Sequence, residues 1–263
     1  MPKEKRGPAI HEVYSESGRH VLERLGLTQA RDLLSGGFGD RVRETPHRRT
    51  ERIQVEQGGE LFLKLYDPGA GRIGKVSRGK APARVEWHNA ERLHAEGVSI
   101  PEFLCAVWSP EGDRAGSAIL IQGVAAGRPL DRLLEEEGFS KERQSWMEES
   151  LLPMILDFHG KGYQHRDLYA CHLLVRDLET PVLIDLARVR HQDRIARRRR
   201  IKDLAALHFS LRSRLPEGYL EGWILRYGRE AGLGPKSASL LTAVMKKSER
   251  IAAHRPRYDS LPL

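Results

Sequence analysis

Cysteine is nearly absent: Cys105 and Cys171 are the only two in 263 residues, they stand far apart, and they make no CxxC pair. That removes the usual zinc signatures and leaves little ground for a disulfide. Long apolar runs are missing as well. A stretch such as SAILIQGVAA carries polar residues and falls well short of the roughly 20 residues that span a bilayer, so no transmembrane segment is expected. The first residues, MPKEKRGPAIHEVYSE, are basic but contain no apolar core and no small-residue cleavage site, so no secretory signal is expected and the cytoplasm is the expected compartment. Aromatic residues make up only 6% and do not interleave with basic ones as in single-strand binders, which makes nucleic acid the weaker guess for a partner. There is no internal repeat and no long low-complexity segment.

What the sequence does have is enough apolar content, 40%, for a core, and a length that suits one large domain or two lobes. The net charge of +8 implies attraction to something anionic: a membrane surface, nucleotide phosphates, nucleic acid or an acidic substrate. The densest basic run, RIARRRRIKD at 194–203, reads equally as a solvated loop or helix start and as an anion-binding surface.

Residues 8–34 read as largely helix-forming, and SGGFGD at 35–40 breaks the pattern. Strand-like segments follow around RVRET and ERIQVEQ, separated by PHRRT, and then ELFLKLYD after a glycine pair, together an antiparallel meander. The glycine-rich, basic segment 68–81 reads as a loop. A helix is expected from Pro82 to Glu96, with proline in its first turn and Gly97 as cap, followed by strands at 100–108 and 117–125. The second half turns helical from an N-cap at Ser140, and Met147, Leu151, Met154, Ile155 and Phe158 form one apolar stripe. Pro153 should kink that helix or mark a boundary. HLLVRD and VLIDLA read as a hairpin, and IKDLAALHFSLR and LEGWILRYGREAGL as further helices. A strand-rich half followed by a helix-rich half predicts an α+β protein of two lobes, with residues 1–122 as the N-terminal extension and first lobe and residues 123–263 as the second.

Four separated positions attract attention as one constellation. Lys64 sits in LFLKLY, where apolar neighbours predict a strand buried on both faces; its ammonium must snorkel or meet an anion. Glu86 shares a helical face with Ala90 and Leu93, so it either points inward to a cation such as Lys64 or pairs locally with Lys80 or Arg84 on a solvated face. Asp167 stands at the entrance of the hairpin and Asp185 ends the apolar run VLID at its mouth. Two carboxylates side by side call for a cation, and with a lysine they favour a metal and a phosphate substrate. The plainer alternatives are a loop aspartate at 167 and a turn residue capping backbone amides at 185.

HRDLYACH resembles the catalytic loop H-R-D-x-x-x-x-N of protein-kinase-like enzymes. More narrowly, HRDLYACHLLV, VLIDLARVR, RRRRIKDLAALHFS and RVEWHNAERLHAEGVSIPE, in that combination, are similar to the lipopolysaccharide core kinases, the heptose and Kdo kinases, over about residues 40 to 230. Histidine in place of asparagine and DLAR in place of D-F-G depart from protein kinases but fit this family. The resemblance implies a two-lobed protein-kinase-like fold, an antiparallel sheet with one helix followed by a mainly helical lobe. It implies that Lys64, positioned by Glu86, holds ATP phosphates, that Asp167 takes the acceptor proton with Arg166 and His165 bracing the loop, and that Asp185 binds the metal, Mg2+ or Mn2+. Gln122 would lie beside the adenine or be a plain strand-end glutamine. Asp203 would support the catalytic loop from below or be a helix N-cap. His172 would either bind the metal weakly or hydrogen-bond Asp185, since magnesium prefers hard oxygen ligands. The turn TPHRR at 45–49 lacks the glycines of a phosphate-covering loop, and its arginines would have to serve instead.

The function so implied is an ATP-dependent sugar kinase acting on a hydroxyl of the lipopolysaccharide inner core, heptose or Kdo. Its partners would be ATP, the core glycolipid and, peripherally, the anionic cytoplasmic face of the inner membrane, with Arg197 to Arg200 contacting the acceptor. The alternatives are a kinase of the same fold with a small-molecule or protein acceptor, and a nucleotide-binding pseudokinase. A protein substrate is less favoured because no A-P-E element follows Asp185.

Overall fold

The computed structural model describes residues 10–55, 59–68, 80–109 and 116–253. Its elements run β1 (His11–Tyr14), α1 (Gly18–Arg24), β2 (Asp40–Thr45), β3 (Arg48–Val55), β4 (Gly59–Tyr66), α2 (Pro82–Ala95), β5 (Phe103–Trp108) and β6 (Ser117–Gln122). There follow β7 (Arg128–Pro129), α3 (Leu130–Glu137), α4 (Lys141–Trp146), α5 (Leu152–Gly160), β8 (Tyr163–Gln164), β9 (Leu173–Val175), β10 (Val182–Leu183), β11 (Arg190–His191), α6 (Arg197–Leu211), α7 (Tyr219–Glu230) and α8 (Ser237–Ala252). By its contacts the described chain divides into two compact units, residues 10–92 with 101–125, and residues 93–100 with 126–253.

The first unit is a six-stranded antiparallel sheet in the order β1-β5-β6-β4-β3-β2. Strand β4 shows why it folds so: Leu61, Leu63 and Leu65 alternate onto one face and are buried with Leu22, Leu33, Leu104 and Leu120. Phe62 and Lys64 alternate onto the other face and are only half-buried. The expected burial of this strand on both faces is therefore corrected: its apolar run alternates a full core face with a partly covered one. The expected helix over 8–34 is also corrected for the residues described. His11–Tyr14 is an edge strand paired with β5, and only Gly18–Arg24 is α-helix, followed by a 3-10 turn at Ala30–Ser35. The strand is held by backbone bonds to a segment about 90 residues away in sequence, a non-local term that local periodicity does not carry. The turn at 45–49 is tighter than read: Arg48 and Arg49 already belong to β3, and Arg49 donates to the Ser35 carbonyl at 3.1 Å. The segment 69–79, inside the loop expected at 68–81, lies outside the described residues.

In the second unit Ser140 caps α4 as expected, its hydroxyl accepting from the Arg143 amide at 3.3 Å. The apolar stripe after it is interrupted by one π turn, Met147–Leu151, between α4 and α5. Pro153 has no amide hydrogen to offer the preceding turn, and the wider turn absorbs the resulting misfit. Met147, Leu151, Ile155 and Phe158 stay buried on the same side despite it. Strands β9 and β10 form the expected hairpin, extended by β7, while β8 pairs with β11. Helices α6 and α7 both pack on α8.

Gly162 sets the chain direction into β8. It has φ +84°, and a Cβ there would stand 1.8 Å from the Gln192 carbonyl oxygen, whose own amide bonds back to Gly162. Gly162→Ala should lower the unfolding free energy by about 2 kcal/mol or more, read from urea denaturation.

Candidate active site

Each unit carries one charged cluster. In the first unit Lys64 lies opposite Thr50 of β3 and Ile119 of β6, on the half-covered face of β4. Its Nζ donates to Glu86 Oε1 at 2.6 Å, and the Tyr66 hydroxyl donates to the other oxygen, Oε2, at 2.9 Å. Glu86 is 0% exposed, so the alternative of a solvated helix-face glutamate is excluded. A buried carboxylate of this kind is tolerated because both oxygens are engaged, and removal of either cation or carboxylate would leave the other uncompensated. Tyr66 went unnoticed in the sequence, where it reads simply as the apolar end of a strand. Gln122 donates through its side chain to the Glu60 carbonyl at 3.2 Å and through its amide to the Glu102 carbonyl at 2.8 Å, closing the end of β6.

In the second unit the stretch His165–Asp167 is clamped from α6. The Asp203 carboxylate, 0% exposed, accepts the His165 amide at 2.7 Å on one oxygen and the Arg166 amide at 2.8 Å on the other. Asp203 is the seventh residue of α6, in the helix interior, and not its N-cap. His159 Nε2 lies 3.3 Å from Asp203 Oδ2, and its Nδ1 lies 2.7 Å from the Tyr227 hydroxyl, which accepts in turn from Arg200 Nη1 at 2.6 Å. A carboxylate at one end and an arginine at the other assign the directions: Arg200 to Tyr227, Tyr227 to His159, His159 to Asp203. Burial pushes the Tyr227 phenol up to about 12, so it stays protonated and able to donate. Arg200, expected in an acceptor-facing run, is thus committed inward, and Arg197 donates to Ser239 Oγ at 3.0 Å.

His165 is fully buried, and burial pushes its imidazole below the ordinary range, so it is neutral. Its Nε2 donates to the Ile184 carbonyl at 2.9 Å, tying the His165–Asp167 stretch to the residue before Asp185. Arg166 takes a left-handed backbone, φ 74°, as does Asp185, φ 59°. Two non-glycine residues in that region mark strain that surrounding bonds must hold. The Asp185 side chain makes no capping bond to the 3-10 turn it precedes. Instead its Oδ2 lies 3.6 Å from His172 Nε2, while His172 Nδ1 donates to the Asp167 carbonyl at 2.7 Å. His172 therefore links the two aspartate positions. Burial alone would push its imidazole down, but the Cys171 side chain, the Asp185 charge and the Asp167 carbonyl outweigh it and carry it up to about 9.

Asp167 itself is gripped by an unforeseen partner. Arg188 Nη1 stands 2.7 Å from Oδ1 and 2.6 Å from Oδ2, straddling the carboxylate. The signal was present in DLAR, where the arginine follows the stretch that replaces the protein-kinase triplet, but only the turn geometry after Asp185 brings it back onto Asp167. For a divalent cation this unit offers the Asp185 carboxylate with His172 beside it; no group of three ligating side chains occurs among the described residues. That sparse oxygen donor set fits Mg2+ or Mn2+ completed by substrate phosphates and water, and does not fit structural zinc.

Asp203→Asn should lower stability by about 2–4 kcal/mol, because whichever way the amide turns, its NH2 would face one of the two backbone donors, which would lose its acceptor. The measurement is denaturant unfolding beside wild type.

Residues 37–224 match the model of the lipopolysaccharide kinase (Kdo/WaaP) family. The lipopolysaccharide core heptose(I) kinase WaaP of Pseudomonas aeruginosa is 32% identical over 253 residues, covering 85% of this chain and 90% of that protein. The enzyme of the same name from Escherichia coli is 41% identical over 64 residues, 22% of this chain and 24% of that protein. Among solved structures, one described as WaaP in complex with acyl carrier protein superposes with a TM-score of 0.69 at 26% identity, covering 92% of this chain and 99% of that one. The kinase-like α+β architecture agrees with that neighbour, and the order of motifs with the family, so this chain belongs to the lipopolysaccharide kinase (Kdo/WaaP) family.

Proposed function

We propose that the protein transfers the γ-phosphoryl group of ATP to a hydroxyl of a heptose in the lipopolysaccharide inner core. The observation that carries this reading is the Asp203 clamp, which fixes the His165–Arg166 backbone and presents the Asp167 carboxylate with Arg188 on it. The P. aeruginosa relative, aligned over most of both chains, supports heptose over Kdo as the acceptor.

In this mechanism Lys64, held by Glu86, neutralises the α and β phosphates of ATP. The acceptor hydroxyl donates to Asp167; as its oxygen bonds to the γ-phosphorus, the bond from that phosphorus to the β,γ-bridging oxygen breaks. The hydroxyl proton passes to Asp167 and the electron pair leaves with ADP. Arg188 orients the carboxylate while leaving lone pairs on both oxygens for the hydroxyl. A divalent cation, Mg2+ or Mn2+, would supply charge neutralisation at the phosphates. Asp185 would hold it, and His172 could join only after losing its Nε2 proton. Gln122, at the end of β6, is proposed to border the adenine.

The acceptor is part of an amphiphile, so the reaction is proposed at the anionic cytoplasmic face of the inner membrane, with the protein bound peripherally. The net charge of +8 supports this, and the exposed Arg198 together with the half-buried Arg199 remain to contact phosphates. No helix among the described residues is long and apolar enough to cross a membrane.

With γ-labelled ATP and dephosphorylated core lipopolysaccharide, wild type should label the glycolipid and Asp167→Ala should lower kcat by about 10^2- to 10^4-fold with nucleotide binding retained. Lys64→Met should raise the ATP requirement. Absence of transfer by a wild-type protein that binds ATP would overturn the assignment in favour of a pseudokinase or another acceptor.

A further inference from the structure

Around Asp167 the second unit gathers several cationic side chains. Arg188 and Arg190 act on the charge of Arg166, Arg188 and Arg166 act on that of Lys202, and Asp167 and Asp203 act on both. Asp203 is already saturated by two backbone amides and His159. Asp167 is shared with Arg188. Three donors are left over. Arg166 Nη1 and Arg188 Nε are buried atoms with no hydrogen-bond partner, and the half-buried Lys202 ammonium has none among the described residues. Buried guanidinium donors without acceptors are costly, and like charges gathered beside them add to the cost. Burial pushes the Lys202 ammonium below its ordinary range, and Arg188 and Arg166 push it further. Such an arrangement persists when an anion completes it in the working state.

The chain does not supply that anion locally. Between Asp185 and Asp203 the sequence LARVRHQDRIARRRRIK has no serine, threonine or tyrosine to carry a phosphate, and its single acid, Asp193, is exposed. Arg188 is in contact with Asp167, so whatever fills the cluster sits beside the group that addresses the acceptor hydroxyl. We infer that Arg166, Arg188 and Lys202 form a subsite for an acid group, carboxylate or phosphate, carried by the acceptor glycolipid next to the hydroxyl that is phosphorylated. The inference rests on the kinase assignment above and deepens it: the enzyme selects its sugar by a neighbouring negative charge as well as by the hydroxyl. Guanidinium and ammonium donors suit both oxyanions, so the source must be separated by experiment.

The test uses the full-length protein, ATP and three acceptors: native core glycolipid lacking only the phosphate that this enzyme adds, the same with its carboxyl groups reduced to alcohols, and the same after removal of its remaining phosphates. Wild type should lose about tenfold or more in kcat/KM on one of the two altered acceptors, which identifies the anion as carboxylate or as phosphate. Lys202→Met should raise the KM for native acceptor by a similar factor, leave the KM for ATP within about twofold, and cause no further loss on the acceptor that lacks the anion. Lys202→Gln serves as a second variant if methionine impairs folding, judged by the thermal midpoint. Wild type indifferent to both acceptor changes, a variant that loses equally on all three acceptors, or a rise in the KM for ATP instead, overturns the subsite while leaving the kinase assignment intact. Absence of transfer to every acceptor removes the assignment and the subsite together.

Discussion

The buried carboxylate of Asp203 is the constraint on which the second unit depends. A charge with no solvent exposure is expensive, and this one is made tolerable by two backbone amides and His159. Those amides belong to His165 and Arg166, so satisfying the charge fixes the loop. The strained backbone of Arg166 is held in place by the same bonds, and the Tyr227 and Arg200 hydrogen bonds behind His159 extend the support to α7 and the start of α6. Asp167, the next residue in the chain, inherits its direction from this arrangement.

The first unit solves a similar problem with different parts. Lys64 and Glu86 pair at 2.6 Å with Tyr66 on the second oxygen, an arrangement with a fully buried carboxylate whose disruption would strand a charge. The Arg188–Asp167 pair is of another kind: Arg188 is 37% exposed, so solvent screening weakens the bond. That suits groups which must exchange partners with a substrate. The structure thus places its tight ion pair where a side chain is to be held and its looser one where chemistry is proposed.

Much of this was legible from residues alone. The helix at Pro82–Ala95 announced itself by proline and glycine at its ends, the Ser140 cap by its position before an apolar stripe, and the hairpin at 173–183 by two short apolar runs. Strand β1 was not legible, because its four residues are strand only by pairing with β5. Burial of β4 was overread, since an unbroken apolar run cannot say which alternate residues meet a filled core.

For the site, the sequence by itself determined which chemical groups exist and in what order: a lysine in an apolar strand, a glutamate on the inner face of a helix, two aspartates framing a hairpin, a third in a later helix. Their identity and spacing were enough to pick them out. Only the tertiary structure decided their partners. Tyr66 on Glu86, Arg188 on Asp167, and the run from Arg200 through Tyr227 and His159 to Asp203 join residues from 20 to 68 positions apart in each contact. Local propensity acts over a few residues, whereas desolvated charges take whichever counter-group the folded backbone brings within about 3 Å, and that choice is made by packing.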